Sequence, residues 1–423
     1  MGAAIPSANA KNAVYDLLIQ NGEVIDPASG LRGRLDVAIS AGRIARIERC
    51  IDRRIDTQAA RRVLDVAGKL VVPGLIDLHT HVYWGITTDQ VSDLNAPPDQ
   101  VGVQSGTTTV VDAGGAGFYD WNGFARYVVP NARTRILALL NIYRTCSLQS
   151  LVTSDRTLID LEGTVRTVDA NRSLIRGIKL LLNGPAIDAL GMEAVRLAVR
   201  AARETGTRLM VHVGDLYSPP SPRAAVLTRE MLGMLAQGDI LTHLCTARPG
   251  GILDEQGRAI PELLDARERG VVLDSAQGRT NFSFDVARRL MDQGVVPDVI
   301  SSDLTLGGRT WIVYSLTECM SKFLALGLGI EEVIRRTTSN PARALGMSDT
   351  LGRVEVGREA DLSILQQVDG DWEFTDSLGQ KLHGETAFVP VATIRSGEVI
   401  MPEWGPHPWG WLPAQRSGVA AGQ

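Results

Sequence analysis

Four of the six histidines in this chain stand at the ends of apolar, β-branched runs, and that placement limits what its 423 residues can fold into. His79 and His81 close LVVPGLIDLHTH, His212 falls near the end of RLMVHV, and His243 near the end of DILTHL. Side chains alternate across a strand, so two imidazoles at i and i+2 emerge on one face as a bidentate platform. The remaining pair, His383 and His407, lies in a polar hairpin-like stretch and a Pro/Trp tail. A His-x-His alone is a weak signal, but here Lys179, His212, His243 and Asp303 accompany it. Imidazole suits zinc, manganese, iron or nickel, and the other candidate donors are nitrogen and oxygen rather than thiolate, which leaves these ions open, with zinc the first expected.

The same runs set the fold. After LVVPGLIDLH come TTTVVDA, RILALLNIY, IRGIKLLL, RLMVHV, DILTHL, GVVLDSA and PDVISSDL, eight in all. Helical patterns such as GMEAVRLAVRAARETG and FSFDVARRLMDQG separate most of them, each closed by Gly. Eight strands alternating with helices define an α/β chain built as a (β/α)8, TIM-like barrel, whose active site gathers at the C-terminal strand ends. The candidate ligands fall there: His79 and His81 on the first strand, Lys179 on the fourth, His212 on the fifth, His243 on the sixth and Asp303 on the eighth. Short strand signals from Val14 to Lys69 resume after Gly352 in GREADLSIL and VATIRSGEVI. Neither piece is comfortable alone, so residues 1–70 and 352–423 are expected to join as a small β-sandwich beside a barrel of residues 71–351.

Composition excludes several partners. With 44% hydrophobic residues the chain can bury one large core and a smaller one, and a formal charge of -5 offers no footprint for nucleic acid or a membrane surface. A small-molecule substrate is expected. The N-terminal stretch lacks an export pattern, and Pro6 breaks the myristoylation pattern. Cys50, Cys146, Cys245 and Cys319 form no CxxC pair and read as reduced thiols of a cytoplasmic protein.

Lys179 is one of only five lysines beside 38 arginines, yet it interrupts the apolar strand IRGIKLLL. A buried ammonium there pays a desolvation cost or loses its proton. A neutral amine can add carbon dioxide to give a carbamate, whose two oxygens can bridge a metal pair; a lysine salt-bridged out of the strand end is the alternative. For His212 and His243 the alternative is a satisfied core histidine. For Asp303 it is N-capping of the following segment.

The order PGLIDLHTH, strand lysine, two later strand-end histidines and SSDL resembles the amidohydrolase superfamily, in particular its dihydroorotase-like and deacetylase-like metal-dependent hydrolases. The resemblance extends through THLCTARPGGILDEQGR and the SNPARALGM helix. It implies that His79, His81 and Asp303 bind a buried metal, His212 and His243 a more exposed one, and carboxylated Lys179 bridges both. Two divalent ions would then share a hydroxide, and Asp303 would act as general base and then general acid in cleaving an amide-type C–N bond. The substrate would be an N-acyl amino acid or a cyclic amide. Ester or lactone cleavage, including O-acyl acids, is the second reading; an inactive scaffold relative is disfavoured because every ligand position is filled. The resemblance also implies a homo-oligomer, and the Trp404, Trp409 and Trp411 tail should dock on its own barrel or a neighbour.

Substrate contacts are expected from the loop after the first strand, with Tyr83 and Trp84 as a pocket wall, and from Arg144 as a carboxylate clamp. An ordinary surface arginine is the alternative for Arg144. Gly114, Gly115 and Gly117 in DAGGAG would let backbone approach the substrate or form a tight turn. Where relatives would show a DxGHG-like stretch this chain has DSAQG, which makes Gln277 a further candidate contact and suggests a different substrate.

Overall fold

The computed structural model describes residues 14–49, 55–85, 94–145 and 154–415. Cys50 and Cys146 lie outside these, as do residues 86–93 of the loop that follows the first strand.

Seven parallel strands form one curled sheet: β1 (Leu75–Thr80), β2 (Thr107–Ala113), β3 (Arg135–Asn141), β4 (Ile175–Leu180), β5 (Arg208–His212), β6 (Ile240–Thr242) and β7 (Val272–Asp274), each paired with the next in sequence. The eighth run closes the ring without becoming a regular strand. Val299 bridges Asp274 of β7 and Leu304 bridges Thr80 of β1, both in parallel sense. The Ser302 N–H is given to the Asp77 carboxylate, and Asp303 adopts a left-handed φ of 52°. Main-chain bonds still run to both neighbours, as from the Ser275 N–H to the Val299 carbonyl and from the His81 N–H to the Leu304 carbonyl. Left-handed Asp303 and the side-chain cap on Ser302 interrupt the regular pattern, which explains the difference from the eight even strands expected.

Between β4 and β5 runs the helix Gly191–Thr205, ended by left-handed Gly206. Its Val195, Ala198 and Ala202 pack in one buried cluster with Ile178, Leu180, Leu209 and Val211 of the two strands. Small residues on the helix let it lie close to the branched strand faces. Phe284–Asp292, after β7, starts where the Ser283 hydroxyl accepts the Val286 N–H.

Strands from both ends of the chain share a second, nine-stranded mixed sheet. Its order is Glu398–Ile400, Lys381–Arg395, Leu362–Thr375, Leu70–Pro73, Tyr15–Asp26, Leu31–Ser40 and Arg43–Arg49, with Ala60–Asp65 pairing on Tyr15–Asp26 and Ala414–Gln415 on Leu362–Thr375. The sheet folds over its own core, since Leu17, Ile19, Val37 and Ile39 from one end of the chain pack with Leu362, Ile364 and Ile394 from the other. The TIM-like barrel with an accompanying β-sandwich is therefore the architecture. The tail docks on its own chain: the Trp411 indole N–H donates to the Glu403 carbonyl, Glu403 pairs with Arg309, and His407 stacks on Trp409 at 4.9 Å.

The run LVVPGLIDLH is two strands rather than one. Leu70–Pro73 belongs to the terminal sheet and Leu75–Thr80 to the barrel, with Gly74 between them. Gly74 donates its N–H to the Asp361 carbonyl, and a Cβ at this position would lie 2.3 Å from the Thr108 hydroxyl. The chain passes between the two sheets only because this residue has no side chain. Gly74→Ala is expected to lower folding stability by about 1–3 kcal/mol through overpacking, read as a lower denaturation midpoint with an unchanged denaturant slope.

Candidate metal centre

The ends of the barrel strands converge on a cavity of about 160 Å³, lined by His79, His81, Lys179, His212, His243 and Asp303 together with Leu94, Ala113, Leu181, Leu216, Arg279, Thr280, Asn281 and Thr305. All six side chains singled out as ligands in the sequence thus meet in one place. His81 Nε2 is 3.1 Å and His79 Nε2 3.4 Å from Asp303 Oδ1, and the three groups lie close enough to hold one ion. The His212 and His243 rings sit 4.3 Å apart, and His243 is 5.0 Å from His79. Lys179 Nζ is 3.5 Å from His79 Nε2 and the same distance from Met210 Sδ.

Hydrogen bonding fixes which nitrogen of three rings is free. A carbonyl oxygen can only accept, so His243 Nδ1, at 2.8 Å from the Ala276 carbonyl, carries a proton and leaves Nε2 bare. By the same argument His212 Nε2 donates to the Gly214 carbonyl at 2.9 Å, leaving Nδ1. For His79 the argument has two steps. The Thr242 hydroxyl gives its proton to Asp274 at 2.7 Å, so it must accept from His79 Nδ1 at 2.8 Å. His79 Nε2 then turns an unprotonated lone pair toward Lys179 and Asp303. A carboxylate backing a ligand histidine through an intermediary is the arrangement that fixes tautomer and ring angle in metal sites.

Electrostatics keep the rings neutral. Burial, reinforced by Lys179, holds the His79 imidazolium well below its ordinary pKa, and burial with His212 does the same for His243. Burial and Lys179 bring His212 down to about 3. Burial lowers Lys179 to about 8, against the pull of Asp303, Asp274 and Asp112, so part of its population is a neutral amine at physiological pH. Asp274 rises to about 6 through burial, restrained by hydrogen bonds from Ser301 and Thr242.

Two positions show backbone strain at the centre. His243 and Asp303 have φ of 71° and 52°, a conformation non-glycine residues adopt at a cost and hold only when their surroundings dictate it. Beside Asp303, Gly278 makes room: a Cβ there would meet the carboxylate Oδ2 at 2.1 Å.

The four side chains expected to touch substrate lie elsewhere. Tyr83 is buried against Phe124, with its hydroxyl donating to the Asp120 carbonyl. Trp84 lines a separate surface cleft with Pro97, Pro98 and Tyr127. Arg144 lays its guanidinium over the Phe118 and Tyr119 rings at 5.8 and 5.7 Å. Gln277 is fully buried, its amide donating to the Cys319 carbonyl. Gly114 and Gly115 serve the protein interior, since Gly114 abuts the Lys179 stem and the Gly115 N–H donates to Asp112. The sequence reading missed Asp77, Thr242 and Asp274, which carry and orient the ligands, and Arg279, Thr280, Asn281 and Thr305 on the cavity wall. A signal for two of them was present: Asp77 and Asp274 interrupt apolar strands as Lys179 does.

A parallel barrel whose strand ends gather imidazoles, a carboxylate and a buried amine around one cavity has the form of a metal-dependent hydrolase. The profile of the amidohydrolase family matches residues 70–400. A deacetylase from Agrobacterium fabrum is 31% identical over 370 residues, 85% of this chain and 84% of its own. Among solved structures, an adenine deaminase superposes with a TM-score of 0.81 at 27% identity, over 92% of this chain and 100% of that one. A dihydroorotase superposes at 0.78 and 28% identity, over 91% and 99%. The chain belongs to the amidohydrolase family, and is a hydrolase of C–N bonds.

Thr242→Val would leave His79 Nδ1 and one Asp274 oxygen unpaired in a buried setting. It is expected to cost about 1–3 kcal/mol, measured by chemical denaturation against wild type.

Proposed function

We propose that the protein is a binuclear metal-dependent hydrolase of a small amide, an N-acyl amino acid or a cyclic amide. The observation that carries this reading is the convergence of three neutral rings of fixed tautomer, His81, Asp303 and a buried lysine on one cavity. That donor set suits zinc: His79 Nε2, His81 and Asp303 would hold one ion, His212 Nδ1 and His243 Nε2 the second. Lys179, which burial lowers to about 8, would as the neutral amine be able to add carbon dioxide with loss of one proton, and the resulting carbamate would offer two anionic oxygens to the ions. Two divalent ions held there would supply Lewis acidity toward the scissile carbonyl and would acidify water.

The chain's own groups do the rest. Asp303 accepts a proton from the attacking water and passes it to the departing nitrogen as the C–N bond breaks. Leu94, Leu181 and Leu216 give the cavity an apolar wall, opposed by Arg279, Thr280, Asn281 and Thr305. Arg279, on the cavity wall, takes the carboxylate-binding part expected of Arg144. The deacetylase relative favours an acyl-bearing substrate. Among the described residues no helix is long and apolar enough to cross a membrane. We place the enzyme in the cytoplasm as a homo-oligomer, an association that exposed Trp311 and Trp404 support.

Elemental analysis of protein purified without chelator should find about two divalent ions per chain, and intact mass under non-denaturing conditions should show one added carbon dioxide that Lys179→Ala lacks. One ion or none after reconstitution with metal and bicarbonate would sink the binuclear reading. Asp303→Asn should lower kcat by about 10²-fold or more while KM changes little; near-normal turnover would refute its role as base and acid.

A further inference from the structure

Asn281 follows β7 on the cavity wall and is 3% exposed. Its Nδ2 lies 3.2 Å from Asp303 Oδ2. A carboxylate has no proton to give, so the amide must present its NH2 to Asp303, and its orientation follows from chemistry rather than from the similar shapes of oxygen and nitrogen. The carbonyl oxygen is thereby turned away from Asp303. That oxygen is buried and has no hydrogen-bond partner among the described residues. An unfilled buried acceptor on a cavity wall is costly to keep unless a ligand fills it.

Its place says which ligand atom would. Under the hydrolase reading above, on which this inference rests, Asp303 hands its proton to the leaving atom, so that atom sits within reach of the carboxylate. Asn281 grips the same carboxylate at Oδ2 and lines the same cavity, so a leaving atom within reach of Asp303 lies next to the Asn281 side chain, whose unfilled acceptor is its carbonyl oxygen. A secondary amide offers an N–H to that acceptor. The matching ester offers an oxygen with lone pairs only, which meets the Asn281 carbonyl as acceptor against acceptor. We propose that Asn281 selects substrates whose leaving group bears an N–H, and so makes the enzyme an amidase rather than an esterase. Sites built to pair with a substrate N–H reject analogues that lack it far more strongly than apolar pockets reject a change of size.

The test compares kcat/KM of the metal-loaded enzyme on an N-acetyl amino acid and on the O-acetyl hydroxy acid with the same side chain. In Asn281→Leu, which keeps the bulk and removes both hydrogen bonds, the amide-to-ester ratio should fall by about 10-fold or more, with metal content as the check on the centre. A wild-type measurement needs no variant: the N-methylated amide, lacking the N–H, should be cleaved about 10-fold or more slowly than its parent. If Asn281→Leu slows both substrates equally and the ratio holds, Asn281 only steadies Asp303 and the proposal is overturned. If wild type cleaves neither compound, nor any other N-acyl amino acid or cyclic amide of a hydantoin type, the hydrolase reading of the site fails and this inference falls with it, a result distinct from an unchanged ratio.

Discussion

Where the barrel closes, two main-chain groups of the closing segment tie it to β1 right beside the site. The Asp303 N–H donates to the His79 carbonyl at 2.8 Å, and the Ser302 N–H donates to the Asp77 carboxylate at 3.0 Å. These bonds hold the closing segment against β1, and they also bring Asp303 up to His79 and His81. Asp77 is buried and lifted to about 7 by that burial, with Ser302 and the His79 N–H pulling the other way. Bonds that help close the fold therefore also deliver Asp303 to the site.

A second layer extends inward from that joint. Ser301 and Thr242 both donate to Asp274, and Thr242 in turn receives the proton of His79. Three strand ends, β1, β6 and β7, are linked to the closing segment through side chains of which only His79 faces the cavity. Proton positions at the centre are thus set by fold-level contacts, because each hydroxyl has one proton and each carbonyl none. The centre is preorganised, and the strained φ values at His243 and Asp303 are held in place by this surrounding network.

The barrel, the shared terminal sheet and all six candidate ligands were legible in the sequence, for a common physical reason. Polar groups at the ends of apolar strands conflict with burial, and such conflicts stand out by type and spacing alone. The strand break at Gly74 was not legible, since a β-branched run through Pro-Gly looks continuous until Thr108 is seen filling the space a side chain would need. The wall of the cavity escaped for a different reason. Arg144, Tyr83, Trp84 and Gln277 sit at the right places in sequence, but loop conformation aims them at Phe118, Asp120, Pro97 and Cys319 instead. Strand periodicity tells which way a side chain points; loops carry no such rule. Asn281 therefore became visible only through its contact with Asp303.

The terminal sheet has a bearing on how the molecule is made. Leu70–Pro73 takes Tyr15–Asp26 on one edge and Leu362–Thr375 on the other, so the early strands have a partner missing until nearly the whole chain has left the ribosome. At about 5–20 residues per second that delay is on the order of tens of seconds. During it Leu17, Ile19, Val37 and Ile39 lack the far half of their core. The nascent protein passes through a stage in which an apolar sheet edge stands open while the barrel is still being threaded, the interval in which a chaperone would find most to hold.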